Sequence, residues 1–195
     1  MAVANPISRL TEAEYLEIER AAGHKSEFFD GEMFAMSGGS PMHSLIAGNL
    51  VTAFNNALKG RCRPFNSDLR IKVEETGLFA YPDVSVVCGS LQTMEGADDV
   101  LVNPTLIAEV LSDSTEAYDR GKKFENYRKI PSLREYLLVS QKEPVVERFT
   151  KQANGDWLLH EVSGMESSVE LVSLELTLEL SDIYANVEFA VSEAG

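Results

Sequence analysis

The feature that most constrains the fold is an apolar run, residues 105–111, that contains a single carboxylate, Glu109. A run of this length, opened by Pro104, predicts a strand that is covered on both faces. A second apolar run, 135–139, follows it, and the segment 114–129 between them is predicted to be a helix. This order predicts two parallel neighbouring strands joined by a right-handed crossover. We therefore predict an α/β fold, with a mixed central sheet flanked by helices.

Glu109 is the residue of this strand that needs an explanation. An ionised carboxylate is costly to bury unless a cation or a hydrogen-bond donor meets it. In the predicted helix, Asp119, Lys123 and Tyr127 are spaced four residues apart and therefore share one face. That face can lean over the strand and bring a lysine and a phenol close to Glu109.

A second carboxylate, Asp83, follows Pro82 at the start of another predicted strand, 81–87. Mg²⁺ prefers oxygen ligands and keeps several waters, so one or two protein carboxylates are enough to bind it. A cation in such a site stabilises the charge that develops on a phosphate during hydrolysis, and a nearby lysine assists it. We therefore predict that Asp83 and Glu109 bind Mg²⁺ or Mn²⁺, with the backbone carbonyl of Val110 as a candidate third ligand.

Lys123 is the predicted lysine of this site, and Lys122 is the alternative if the helix is rotated by one residue. Two further residues, Glu27 and His43, would border the predicted site if they have a functional role. Glu27 is a mid-strand charge and His43 lies in the first turn of a helix, and alone each would be assigned a structural role.

The order of these motifs resembles the PD-(D/E)XK nuclease superfamily and, more narrowly, the Uma-type restriction endonuclease family. The motifs that carry the resemblance are, in chain order, residues 25–32 (Lys-Ser-Glu-Phe-Phe-Asp-Gly-Glu), His43, Pro82-Asp83, Glu109-Val-Leu-Ser112, Asp119-Arg-Gly-Lys-Lys123 and Tyr127. The resemblance covers about residues 10–184. It implies a restriction-endonuclease-like core, Mg²⁺ dependence, DNA as substrate and a homodimer.

The resemblance also implies roles for individual residues. Asp83 and Glu109 would be metal ligands, Lys123 the catalytic lysine, and Glu27 a residue that lines the site. The accessory candidates are His43, Asp119, Lys122 and Tyr127. The superfamily pattern places its lysine two residues after the acid, where this chain has Leu111. Uma-type members likewise take the lysine from the following helix.

Composition limits the other possibilities. The 195-residue chain has a net charge of −14, from 31 acidic and 17 basic residues, which counts against extended contact with nucleic-acid phosphates. Local binding can still rest on two basic groups: Arg61, Arg63, Arg70 and Lys72, and Arg120, Lys122, Lys123, Arg128 and Lys129. The alternative function is a nuclease-fold binding or dimerisation module without turnover. An acidic mimic of nucleic acid would explain the charge but not a carboxylate in an apolar strand.

The absence of a membrane-length apolar run and of a charged-then-apolar leader predicts a cytoplasmic protein without membrane contact. Two cysteines without metal-ligand spacing, Cys62 and Cys88, are expected to be reduced. The length predicts a single domain, 1–195, with a core at about 10–185, a loose arm at 1–8 and a mobile tail after residue 189.

Local signals predict the remaining elements. They are a helix opened by a capping box of Thr11 and Glu14, with Tyr15, Ile18 and Ala22 facing inward; a hairpin at 25–37 that turns at Asp30-Gly31; a helix that begins at Ser40-Pro41 and buries Ile46, Leu50, Phe54 and Ala57; a strand at 69–73; a loop at 89–103; a hairpin around Asn154-Gly155; and a terminal helix at 181–184.

Overall fold

The computed structural model describes residues 9–36 and 38–189. The predicted arm at 1–8 and the predicted tail beyond residue 189 lie outside these ranges, as does Ser37. The helices are α1 (Glu12–Ala21), α2 (Pro41–Leu58), α3 (Glu116–Tyr118), α4 (Phe124–Tyr127) and α5 (Leu180–Ile183), with a π-helical turn at Asp119–Lys123 and a 3₁₀ turn at Val172–Leu174.

Fourteen strands are present in the described residues. They are β1 (Ser26–Phe29), β2 (Glu32–Ala35), β3 (Cys62–Asn66), β4 (Arg70–Val73), β5 (Leu78–Ala80), β6 (Val84–Cys88), β7 (Thr93–Met94), β8 (Ala97–Leu101), β9 (Leu106–Val110), β10 (Glu135–Val139), β11 (Val145–Lys151), β12 (Trp157–Ser163), β13 (Ser168–Leu171) and β14 (Leu176–Glu179).

The strands form two six-stranded mixed sheets and a separate two-stranded hairpin. The first sheet has the order β12-β11-β10-β9-β6-β3, and the second has the order β2-β1-β5-β4-β8-β7. In the first sheet β9 and β10 are parallel neighbours, as predicted, and the other pairs are antiparallel. The predicted mixed sheet with flanking helices is therefore confirmed, but the second sheet was not predicted. The predicted loop at 89–103 is wrong, because β7 and β8 pair there.

The two faces of β9 belong to different hydrophobic clusters. Leu106, Ala108 and Val110 pack in a cluster that includes the buried face of α2, whereas Ile107 and Leu111 pack in a cluster with residues of α4. Successive side chains of a strand point to opposite faces, so Glu109 faces the same side as Ile107 and Leu111. All five residues of β9 are buried, which confirms the prediction of a strand covered on both faces.

The crossover helix differs from the predicted continuous helix at 114–129. It runs from Glu116 to Tyr127 and is interrupted by the π-helical turn. Its N-cap is Thr115, whose side chain makes no capping hydrogen bond, and Asp113 pairs with Lys142. π-Helical turns are rare in proteins, and many of those that occur lie at functional sites.

The elements that position the first helix and the first hairpin follow the sequence closely. The capping box of Thr11 and Glu14 is present, and Asp30 and Gly31 have the positive φ angles of a two-residue hairpin turn, 50° and 81°. The predicted inward face of α1 is wrong in part, since Ile18 is 44% exposed and Glu19 is buried instead. Glu19 can be buried because its carboxylate accepts hydrogen bonds from the Ser26 amide and the Tyr81 hydroxyl.

The second helix, the last helix and the 145–163 hairpin also agree with their sequence signals. Ser40 caps α2 by accepting a hydrogen bond from the His43 amide, although the last buried position is Leu58 and not Ala57. β11 and β12 pair on either side of Asn154-Gly155. In the described residues no helix is both long enough and apolar enough to cross a bilayer.

The two cysteines are joined, so the prediction of reduced thiols is wrong. Cys62 and Cys88 are direct register partners on the antiparallel strands β3 and β6, with their Cα atoms 4.2 Å apart, and they form a disulfide. Their separation of 26 residues in sequence conceals this proximity, which only the strand register creates.

Candidate active site

Asp83 and Glu109 lie side by side at one end of the first sheet. The predicted strand 81–87 begins at Val84, so Asp83 immediately precedes β6, and Val84 pairs with Ala108 of β9. Glu109 Oε2 accepts a hydrogen bond from the Asp83 amide at 3.2 Å, and Asp83 Oδ2 accepts one from the Val110 amide at 2.8 Å. Glu109 is thus held by the amide of Asp83, and Asp83 by the amide of the residue that follows Glu109. These two hydrogen bonds bring the two predicted acids together.

Lys123 reaches three carboxylates at once. Its Nζ lies 2.9 Å from Glu109 Oε1, 3.2 Å from Glu27 Oε1 and 3.3 Å from Asp119 Oδ1, and its side chain is 7% exposed. The alternative lysine, Lys122, points outward and pairs with Glu125 on the surface. The helix therefore presents to the sheet the lysine that the sequence favoured.

Two tyrosines complete the support of these acids. The Tyr127 hydroxyl donates a hydrogen bond to Glu109 Oε1 at 2.9 Å, so the predicted helix face of Asp119, Lys123 and Tyr127 does meet the strand. The Tyr136 hydroxyl, on β10, donates to the backbone carbonyl of Asp119 at 3.0 Å and so ties the π-helical turn to the sheet. Tyr136 was not predicted as a site residue, although it directly follows Glu135 in a buried apolar strand.

Glu27 and His43 both turn toward the site. Glu27 is 8% exposed and comes from β1 of the second sheet. His43 Nε2 lies 3.1 Å from Asp83 Oδ2. The hydrogen bond to Asp83 raises the pKa of His43 above its usual range, although burial opposes this rise. Both side chains therefore contact charged residues of the predicted site.

The site contains more negative than positive groups. Its carboxylates are Glu27, Asp83, Glu109 and Asp119, and its cationic groups are Lys123 and His43. Burial raises the pKa of Glu109 to about 8, with a further rise from Asp119 and Asp83, even though Lys123 opposes it. Burial alone would lower the pKa of Lys123, but Glu109 and the other surrounding acids raise it well above its usual range. A cation bound beside Glu109 would favour the ionised form of this carboxylate.

One carboxylate oxygen of the site is poorly satisfied. Asp119 Oδ1 is buried and has no hydrogen-bond partner in the described residues, although Lys123 Nζ lies 3.3 Å away. The two observations agree if the contact is electrostatic with poor hydrogen-bond geometry. A buried acceptor in this state is costly, and it adds to the demand for a cation.

The donor set limits which metal the site suits. In residues 9–36 and 38–189, no group of three or more His, Cys, Asp and Glu side chains is arranged to hold a metal ion. This excludes a cage built from side chains alone there, such as a structural zinc site. Asp83, Glu109 and the Val110 carbonyl are all hard oxygen donors, and Mg²⁺ needs only one or two carboxylates because it keeps most of its waters. These residues therefore fit Mg²⁺.

The site lies on the floor of a large cleft with a volume of about 1360 Å³. The β1–β2 hairpin forms one wall, the first turns of α2 form another, and the segment after β9 leads into α3 on the far side. The apolar lining residues include Phe29, Phe34, Ala35, Met36, Ala47, Val51 and Leu111. A cleft of this size exceeds a typical small-molecule pocket and can admit part of a polymer.

Neither predicted basic group forms a free cationic strip. Of the first group, Arg61, Arg70 and Lys72 pair with Glu175, Asp99 and Glu12. Of the second, Arg120 pairs with Glu116 and Glu147, Lys122 with Glu125, and Lys129 with Glu75, while Lys123 is buried in the site. These ion pairs neutralise most of the charge that was expected to meet phosphates.

Comparison with known proteins first defines the class of fold. The structure is similar to a crystal structure described as "a putative nuclease belonging to DUF820" from Anabaena variabilis ATCC 29413. The TM-score is 0.73 over 90% of this chain and 97% of that chain, at 21% sequence identity. The two chains therefore share a fold.

The family follows from the sequence itself. Residues 12–186 match the model of the family described as "Uma2: Putative restriction endonuclease", and the chain belongs to this family, as the motifs predicted. Two relatives come from Synechocystis sp. (strain ATCC 27184 / PCC 6803 / Kazusa). The chain is 40% identical to "Uncharacterized protein slr1290" over 185 residues, which is 94% of this chain and 96% of that protein. It is 37% identical to "Uncharacterized protein sll1609" over 168 residues, which is 86% of this chain and 95% of that protein.

Proposed function

We propose that this protein is a Mg²⁺-dependent DNA endonuclease with a site of the PD-(D/E)XK type. The observation that carries the proposal is the convergence of Asp83, Glu109 and Lys123 on the floor of a cleft, with Glu27 and Asp119 adding negative charge. Membership of a family described as restriction endonucleases supports the same reaction class. Mn²⁺ is the expected substitute for Mg²⁺.

In this proposal Asp83, Glu109 and the Val110 carbonyl hold the cation. A bound Mg²⁺ supplies Lewis-acid stabilisation of the charge that develops on the phosphate. Lys123 favours the ionised form of Glu109 and so opposes the effect of burial, since its Nζ is 2.9 Å from that carboxylate, and it can give up one of its three acid partners to contact a water or a phosphate oxygen. His43 holds Asp83 in place from the α2 side through its contact with Oδ2.

The test is plasmid nicking with Mg²⁺ or Mn²⁺, with EDTA as the metal-free control. We expect Asp83→Asn, Glu109→Gln and Lys123→Met each to abolish nicking. The matched controls are Asp98→Asn, at an exposed position of β8, and Lys122→Met, at the exposed neighbouring lysine. The proposal fails if no DNA is cut with either cation, or if Asp83→Asn nicks as fast as the wild type.

The alternative is a nuclease-fold binding or dimerisation module without turnover. It is favoured by the absence of a three-side-chain metal group in the described residues, and by Leu111 at the position where the superfamily has its lysine. Isothermal titration with Mn²⁺ separates the two. Heat that disappears in Asp83→Asn supports the enzyme, whereas its absence in the wild type favours the module. Sedimentation would test the predicted homodimer in either case.

A further inference from the structure

An exposed aromatic ring stands beside the carboxylates of the site. Phe34 on β2 is the direct register partner of Glu27 on β1. Directly opposed residues of an antiparallel pair have Cβ atoms about 4.5–5.5 Å apart and project from the same face of the sheet. Glu27 is also the acid whose Oε1 lies 3.2 Å from Lys123 Nζ. The register therefore fixes the ring of Phe34 at the edge of the site.

Packing in the hydrophobic core does not explain the position of Phe34. It is 49% exposed, and among the described residues it belongs to none of the three hydrophobic clusters. Apolar side chains that line the same cleft include Met36 from the same hairpin and Val51 from α2. A flat, accessible ring on the wall of a cleft is a stacking surface.

The charges nearby favour bases over phosphates as the main contact. The surface lysines that line the cleft are already paired: Lys25 with Asp68, Lys122 with Glu125 and Lys142 with Asp113. A duplex is bound mainly through its phosphates, which requires free cations. Proteins that bind single strands add the stacking of bases on aromatic rings to their phosphate contacts, so part of the affinity does not depend on free cations.

We propose that Phe34 stacks on an unpaired nucleobase and that the site acts on single-stranded DNA, or on the unpaired segment of a partly duplex substrate. This inference rests on the proposed function and narrows its substrate class. The ring would hold the base on the hairpin side of the cleft while the adjoining phosphodiester lies over Asp83, Glu109 and Lys123. Bases inside an intact duplex are stacked on each other and cannot reach Phe34.

Fluorescence anisotropy tests the stacking without relying on turnover. The probe is a short fluorescein-labelled oligodeoxynucleotide of mixed sequence, compared in EDTA with its duplex and with the RNA of the same sequence. We expect the wild type to bind the DNA single strand more tightly than the duplex. Phe34→Ala should weaken single-strand binding roughly 5- to 150-fold, which is the range for losing one stacked base.

Matched variants separate stacking from simple apolar contact. Phe34→Tyr keeps the ring and should bind nearly as the wild type does, whereas Phe34→Leu keeps the apolar bulk and should bind nearly as weakly as Phe34→Ala. Leu158→Ala removes a comparably exposed apolar side chain, 58% exposed on β12, and should leave binding unchanged. Unfolding midpoints of all variants should match the wild type, because Phe34 is half exposed.

The outcomes distinguish this inference from the proposed function. Equal binding by Phe34→Ala and the wild type, retention by Phe34→Leu, or preference for the duplex would overturn the stacking role even if the protein nicks DNA. Preference for the RNA strand would overturn the DNA assignment. A change in sedimentation of Phe34→Ala without a change in DNA binding would assign the ring to a protein interface. Single-strand binding that depends on Phe34, without any cleavage, would overturn only the proposed function.

Discussion

Replacing Lys123 by methionine should destabilise the protein strongly. The substitution removes the lysine that contacts Glu109, Glu27 and Asp119, whose side chains are 4%, 10% and 4% exposed. Removing one partner of a buried ion pair costs about 3–5 kcal/mol, because the remaining charge stays buried. For a protein of this size that corresponds to a drop in melting temperature of roughly 6–20 °C. We expect the loss in urea denaturation to grow as the pH rises above about 8, because burial raises the pKa of Glu109 to about 8 and the neutral form of Glu109 does not need the counter-charge.

The control for this prediction is the adjacent lysine. Lys122 and its partner Glu125 each have side chains 57% exposed, so Lys122→Met should change the free energy of unfolding by at most about 1 kcal/mol. Both substitutions remove one positive charge from neighbouring positions, which keeps the net charge and the local sequence equal. A loss in Lys123→Met no larger than that in Lys122→Met would refute the claim that Lys123 is the main counter-charge of the site.

Two further predictions concern stability. All six tyrosines should stay protonated in the folded protein near pH 10, where free tyrosine ionises, because burial raises the pKa of every one of them, and that of Tyr15 to about 12. The folded state then holds more protons than the unfolded state, so the free energy of unfolding must fall as pH rises above about 10. Tyrosinate absorbance that rises before the circular dichroism changes would contradict this prediction. The disulfide between Cys62 and Cys88 closes a segment of 26 residues, so reduction should lower the free energy of unfolding by roughly 3 kcal/mol in urea titrations with and without dithiothreitol. Two thiols that titrate in the native, unreduced protein would disprove the bond.

The sequence predicted those parts of the fold that depend on local signals. The β9–helix–β10 unit, the Asp30-Gly31 turn and the start of α2 follow from patterns within a few residues. The division into two sheets could not be predicted, because it depends on pairings between distant segments such as β1 with β5. β8 was taken for a loop because Asp98 and Asp99 interrupt its apolar pattern, and Asp99 is held there by Arg20 and Arg70.

The candidate site was more accessible to sequence reasoning than the fold. Asp83, Glu109 and Lys123 were named from composition and spacing, and the structure brings all three together. Phe34 was missed, although the two-residue turn at Asp30-Gly31 already fixes its pairing with Glu27. The unpaired Asp119 Oδ1 could not be foreseen, since it depends on the π-helical turn.

The position of the lysine can be explained by the faces of β9. Leu111 lies two residues after Glu109, so it would project to the same side of the sheet as the carboxylate. In this chain Leu111 is 6% exposed and packs in the cluster that contains Phe124 and Tyr127 of α4. A lysine at 111 would have to replace that apolar contact, whereas Lys123 reaches Glu109 from the crossover helix, at 2.9 Å, without disturbing it. The crossover helix thus supplies the positive charge, and the strand keeps its apolar packing. A lysine at position 111 and Lys123 would have to make the same short contact between Nζ and Glu109 Oε1.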